Sequence, residues 1–91
     1  EEGADILMVK PGLPYLDVIT RLAAAFDLPI AAYHVSGEYA MLRAAAERGL
    51  MEYEAGLSES LVCLARAGAR MILTYGALDY ARRWRQEHGF A

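Results

Sequence analysis

The sequence has one cysteine, Cys63, and only two histidines. A single thiol excludes an intrachain disulfide, and it excludes a zinc site built from several cysteines of this chain. Cys63 sits in Leu61-Val62-Cys63-Leu64, an apolar helical context, where it reads as a small buried hydrophobe. Long apolar runs are also missing, so no segment is expected to span a bilayer and no membrane partner is expected. No signal peptide is visible, and a reducing, cytoplasmic setting is the expectation. A basic surplus is absent as well: 9 Lys and Arg stand against 12 Asp and Glu, for a formal net charge of -3. With no basic patch to neutralise phosphates, nucleic acid is not an expected partner. Arg82, Arg83 and Arg85 do cluster, but Asp79 and Glu87 are interspersed, as on a solvated helix face. The chain opens on Glu1-Glu2-Gly3 without an initiator Met and reaches an apolar run at once, as expected of a piece of a longer protein.

What is present is an ordinary globular composition, 56% hydrophobic and 23% charged over 91 residues. Three short, nearly continuous apolar runs predict strands over residues 5–10, 30–35 and 70–75, of the kind buried on both faces. Each leads into a Gly-containing turn: Pro11-Gly12, Ser36-Gly37 and Gly76. Between the strands lie helical patterns. Leu16, Ile19, Leu22, Ala23 and Phe26 share one face of a helix over 15–26, with Pro14 suited to its first turn and Pro29 blocking its continuation. An Ala-rich helix is predicted over 38–48 with Gly49 as its cap. A third covers 53–67, closed by Gly68, with Leu57, Leu61 and Leu64 facing the core. A fourth covers 78–87.

Strands alternating with helices imply parallel pairing through right-handed crossovers, an α/β fold. A faint repeat supports this. Gly3-Ala4-Asp5-Ile6-Leu7-Met8-Val9-Lys10 matches the pattern of the segment from Gly68 to Tyr75 at an offset of 65 residues, about two βα units of ~30 residues each. It places Lys10 and Tyr75 at equivalent ends of equivalent strands. Three βα units cannot close a barrel, which takes about 250 residues. Residues 1–91 therefore read as the last three βα units of a TIM (β/α)8 barrel, one part of a single domain. An open flavodoxin-like piece would leave both sheet edges poorly covered.

Lys10 is the outstanding oddity. Ile6, Met8 and Lys10 share one face of their strand, and the carboxyl end of a barrel strand is where active sites lie. Burial there disfavours the ammonium, and a free amine attacks a ketone or aldehyde to form an imine. The plainer reading is a lysine that reaches solvent at the strand end. Ser36 ends the second strand, either as the N-cap of the next helix or as a hydroxyl donor at the mouth. Tyr75 ends the third, either capping the core or offering its phenol to a carboxylate. One amine and two neutral donors converging on one rim suit a keto acid. Tyr33 and His34 are weaker candidates; His34 reads as a hydrogen-bonded strand histidine rather than an acid or base. Tyr39, Met41 and Leu42 read as packing. Glu1, Glu2 and Asp5 lack convergent His or Cys partners, so no metal site is assigned within this chain, although Asp5 has some scope for an interdomain contact.

Three ordered motifs carry a family resemblance. Met8-Val9-Lys10-Pro11-Gly12-Leu13-Pro14-Tyr15-Leu16-Asp17 resembles the Schiff-base lysine segment of the porphobilinogen synthases. Ala32-Tyr33-His34-Val35-Ser36-Gly37-Glu38-Tyr39-Ala40-Met41 resembles a second family motif, and Ala67-Gly68-Ala69 with Ile72-Leu73-Thr74-Tyr75 a third. The match runs over nearly the whole chain. The resemblance implies a TIM barrel assembled as a homo-octamer. It implies an enzyme, a dehydratase that joins two 5-aminolevulinate molecules into porphobilinogen for tetrapyrrole and heme synthesis. Lys10 is then similar to the lysine holding the substrate destined for the propionate side, and Ser36 and Tyr75 to the residues binding that substrate's carboxylate. Zinc or magnesium is implied for the full-length family enzyme, with no cofactor bound by this part. A second lysine on the preceding strand, the metal-binding segment, the basic residues for the second carboxylate and the N-terminal arm are absent from these residues. The segment Gly76-Ala77-Leu78-Asp79 follows the family loosely. The chain alone is therefore expected to be inactive. Two other readings stay open: another imine-forming barrel enzyme of the aldolase type, and a non-catalytic βα module that self-associates through its sheet edges.

Overall fold

The computed structural model describes residues 3–89. Glu1 and Glu2, two of the three acidic residues read as solvated, lie outside them; Asp5 is exposed. Strand β1 (Leu7–Val9) leads through a single 3-10 turn (Leu13–Tyr15) into helix α1 (Leu16–Ala25). Strand β2 (Ile30–His34) follows, then α2 (Ser36–Glu47), α3 (Tyr53–Ala67), β3 (Met71–Thr74) and α4 (Ala77–Glu87). The sheet has three strands in the order β1-β2-β3. Both pairings are parallel, with Val9 opposite Ala32 and Ala32 opposite Ile72. The expected α/β order is therefore present, with each strand a residue or more shorter than its apolar run.

Alternation along the strands decides what each face does. Leu7, Val9, Ile30, Ala32 and Ile72 face the helices and join Ile19, Leu57, Leu61 and Leu64 in one core. Leu57, Leu61 and Leu64 recur along one side of α3, which packs against α1, α2 and α4. Gly68 closes α3 at φ +127, a conformation that side chains with a Cβ rarely adopt. The opposite face of the sheet is bare. Ile6, Met8, Met71 and Leu73 are all exposed there, so burial of the strands on both faces does not hold within this chain. Ala31 is the exception, because its register neighbours Met8 and Met71 flank it.

Several side chains depart from expectation. Met41, read as packing, is 67% exposed, while Leu42 beside it is buried. Cys63 is half-buried rather than buried. Phe26 lies past the end of α1 and is exposed. Arg82 and Arg85 do lie on a solvated face of α4, and Arg83 pairs with Glu54 at 2.9 Å and Glu87 at 2.6 Å.

Candidate functional site

The carboxyl ends of the three parallel strands lie side by side, and each sequence candidate sits at one of them. Lys10 follows the last residue of β1. Continuing the register one step beyond Val9 and Ala32 brings it level with Tyr33, which is itself opposite Leu73. The turn after Lys10 is tied to β2, because the Gly12 N–H donates to the Tyr33 carbonyl at 2.9 Å. The Lys10–Pro11 peptide is cis. Gly12 itself is buried, and a Cβ there would stand 2.7 Å from Cδ2 of Leu64 and 3.4 Å from the Tyr33 carbonyl oxygen. Only glycine lets this turn lie so close to the core. Lys10 is exposed, so the burial expected to favour its free amine is not provided by this chain.

Ser36 is the first residue of α2 and is exposed. It is not the helix N-cap. Val35 takes that place in an extended conformation (φ -71, ψ 171), its carbonyl accepting the Tyr39 N–H at 3.0 Å, and no side chain caps the helix. The Ser36 hydroxyl is thereby not used up in capping.

Tyr75 follows β3 on the bare face and is 59% exposed. It belongs to an aromatic group. Its ring stacks on Tyr33 at 6.5 Å between centroids and lies 5.9 Å from Tyr39. The Tyr33 and Tyr75 hydroxyls are 3.3 Å apart, and that bond, with burial, raises the pKa of the Tyr33 phenol. Tyr33, a weak candidate from sequence, is thus at the site with Tyr75. Behind Tyr39, the Tyr53 hydroxyl donates to Asp79 at 2.6 Å, and Arg43 bridges to Asp79 at 3.2 Å with its guanidinium 3.8 Å from the Tyr53 ring centre. Burial, then the Asp79 bond, pushes the Tyr53 phenol well up. These contacts span three helices, and no local motif signals them.

His34 is hydrogen-bonded, as expected. It is 1% exposed on the helix-facing side, with Nδ1 2.9 Å from the Thr74 hydroxyl. Burial lowers its pKa, against a smaller opposing effect of Glu38. Sequence reading missed Glu38, which is buried four residues from His34. The available signal was that spacing, together with Leu42 four residues further along the same helical side.

A family model for delta-aminolevulinic acid dehydratase matches residues 1–83. The chain belongs to the delta-aminolevulinic acid dehydratase family. It is 54% identical over 85 residues to the dehydratase of Streptomyces coelicolor, covering 93% of this chain and 26% of that protein. The chloroplastic dehydratase of Glycine max is 62% identical over 81 residues, covering 89% of this chain and 20% of that protein. The chain thus spans about a quarter or less of these relatives. A crystal structure of the dehydratase (porphobilinogen synthase) of Toxoplasma gondii, in complex with the reaction product porphobilinogen, superimposes with a TM-score of 0.88 at 53% identity. The alignment covers 93% of this chain and 24% of that one. The three βα units of this chain are accordingly part of a TIM barrel, and the bare sheet face is the side that a barrel turns inward.

Among the described residues, no group of three or more His, Cys, Asp or Glu side chains is placed to hold a metal ion. The described residues therefore do not fit the zinc or magnesium that the resemblance implies. No described helix is long and apolar enough to cross a membrane. A cavity of about 450 Å³ between α3 and α4 is lined by none of Lys10, Ser36 or Tyr75.

Proposed function

We propose that the protein containing this chain condenses two molecules of 5-aminolevulinate into porphobilinogen, and that this chain supplies the imine-forming lysine and the carboxylate donors of one substrate. One observation carries the assignment: β1, β2 and β3 are adjacent and parallel, so Lys10, Ser36 and Tyr75 follow strands or open helices at the same end of one sheet. The Lys10 amine, in its free form, attacks the substrate ketone carbon. The C–N bond forms to give a carbinolamine, one amine proton passing to the ketone oxygen; the C–O bond then breaks, and that oxygen leaves as water carrying the second amine proton, so one imine and one water result. The imine draws electrons from its neighbouring carbon, which prepares that carbon for reaction with the second substrate. Ser36 and Tyr75 donate to the carboxylate at the far end and fix the ketone over Lys10. Tyr33, hydroxyl to hydroxyl with Tyr75, extends that donor surface. The strand-end placement of Lys10 also accounts for its exposure here, since the strands that would close the barrel over it belong to the rest of the protein.

Further features follow the resemblance. The whole protein works as a homo-oligomer, an octamer, in the cytoplasm, with zinc or magnesium held outside the described residues. The 91-residue chain alone makes no porphobilinogen, because it has one lysine and half a site. The test is a porphobilinogen assay on the full enzyme with Lys10→Met. Loss of all detectable product in a folded variant is the expected result. Product formation at the unaltered rate would refute the role of Lys10.

A further inference from the structure

Behind the donor face lies a polar group that the proposed reaction does not use. Glu38, in the first turn of α2, is 6% exposed, and neither carboxylate oxygen has a hydrogen-bond partner among the described residues. Nε2 of His34 lies 3.8 Å from one of them. His34 engages Thr74 through its other ring nitrogen at 2.9 Å. The Thr74 hydroxyl also accepts the Gly76 N–H at 3.1 Å, so the residues on either side of Tyr75 are bound to each other. One imidazole therefore lies between the start of α2 and the end of β3, hydrogen-bonded to the second and 3.8 Å from the carboxylate of the first.

A buried carboxylate without a hydrogen bond is a poor choice for stability, since apolar side chains of similar shape fill such a place at less cost. The positive end of the α2 dipole lessens the penalty but does not remove it. A positional task explains the group better. α2 has no side-chain cap to fix where it begins. Glu38 is two residues from Ser36, and Thr74 is next to Tyr75. We propose that His34, Glu38 and Thr74 form a buried brace that sets the spacing of the Ser36 and Tyr75 hydroxyls, and so acts as a set of positioning residues for the substrate carboxylate. This rests on the assignment of Lys10, Ser36 and Tyr75 given above.

The brace is tested in the full enzyme by reductive trapping with cyanoborohydride, which delivers hydride to the imine carbon and leaves a stable secondary amine on the lysine. Two probes are compared: levulinate, a keto acid, and 2-pentanone, a ketone without the carboxylate. The readout is the probe concentration that gives half-maximal label on the Lys10 peptide. In Glu38→Leu that concentration rises about tenfold or more for levulinate, as expected for a weakened charge-assisted contact, and stays within about twofold for 2-pentanone. Glu38→Gln, which keeps shape and polarity, recovers most of the levulinate affinity. Should Glu38→Leu not fold, Thr74→Val decides, because it breaks both bonds of the threonine at constant shape; the same selective loss is expected. An unchanged levulinate value, or an equal rise for both probes, overturns the brace. A Lys10→Met control separates the two ideas. Total label that is undiminished in it refutes the imine assignment itself, whereas label reduced there with no probe selectivity in the Glu38 variant refutes the brace alone.

Discussion

Gly12→Ala is the substitution whose cost follows most directly from the geometry. Gly12 has φ -71 and ψ -51, a conformation open to any residue, so an alanine there brings no backbone strain. The added methyl would nevertheless meet Cδ2 of Leu64 at 2.7 Å, with Ala32 Cβ at 3.6 Å behind it. Leu64 is 0% exposed within the core, so its side chain has no open space to swing into. Overpacking of this kind costs about 1–3 kcal/mol. Leu64→Ala alone costs about 2–5 kcal/mol by leaving a cavity. In the double variant the new methyl enters the space that Leu64 vacates, and the Gly12→Ala penalty disappears. The coupling energy is then about 1–3 kcal/mol in the favourable direction. Equilibrium urea unfolding of the four proteins measures it, in one background throughout. Costs that simply add, to within about 0.5 kcal/mol, would show that Gly12 is not needed for close approach to Leu64.

Three further outcomes are expected. Tyr75→Phe removes a donor worth about 1.5–3 kcal/mol to a charged acceptor; with the Tyr33 hydroxyl 3.3 Å away to take over in part, levulinate binding weakens about tenfold while stability is unchanged. Tyr53→Phe leaves Asp79 without its 2.6 Å donor and lowers unfolding free energy by about 1–2 kcal/mol, since Asp79 is partly solvated, whereas Arg43→Ala at a 45% exposed ion pair changes it by less than about 1 kcal/mol. His34 has a pKa lowered by burial from the ordinary 6.5, so below that pH the unfolded chain binds the extra proton first. Stability from this group is present above 6.5 and is lost as pH falls toward the folded value; urea midpoints on either side of 6.5 measure the slope, and His34→Gln flattens it.

The strands and helices were legible because apolar runs and helical periodicity report local geometry. α3 illustrates this: Leu57, Leu61 and Leu64 mark its buried side and Gly68 its end, and both hold. Four things were not legible. Ser36 has the chemistry of an N-cap, yet the first helical hydrogen bond runs to the Val35 carbonyl, and the extended backbone of Val35 places the cap one residue earlier. The apolar strand pattern describes burial in a whole barrel, so Met8, Met71 and Leu73 look like core residues while one side of them is open in this chain. Glu38 follows Ser36-Gly37 at a helix start, where an acid normally faces water; in the fold it is buried, 3.8 Å from Nε2 of His34. The long-range partners Arg43 and Asp79 are likewise fixed by how α2 and α4 pack, which no local spacing encodes.

The central claim is that one bound keto acid touches Lys10, Ser36 and Tyr75 together. A crystal structure of the full enzyme after reduction in the presence of 5-aminolevulinate tests it most directly. Continuous density from Nζ of Lys10 to the former ketone carbon is expected, with the carboxylate within about 3.2 Å of both the Ser36 and Tyr75 hydroxyls. An adduct found only on another residue, or a carboxylate held away from both hydroxyls, would contradict it.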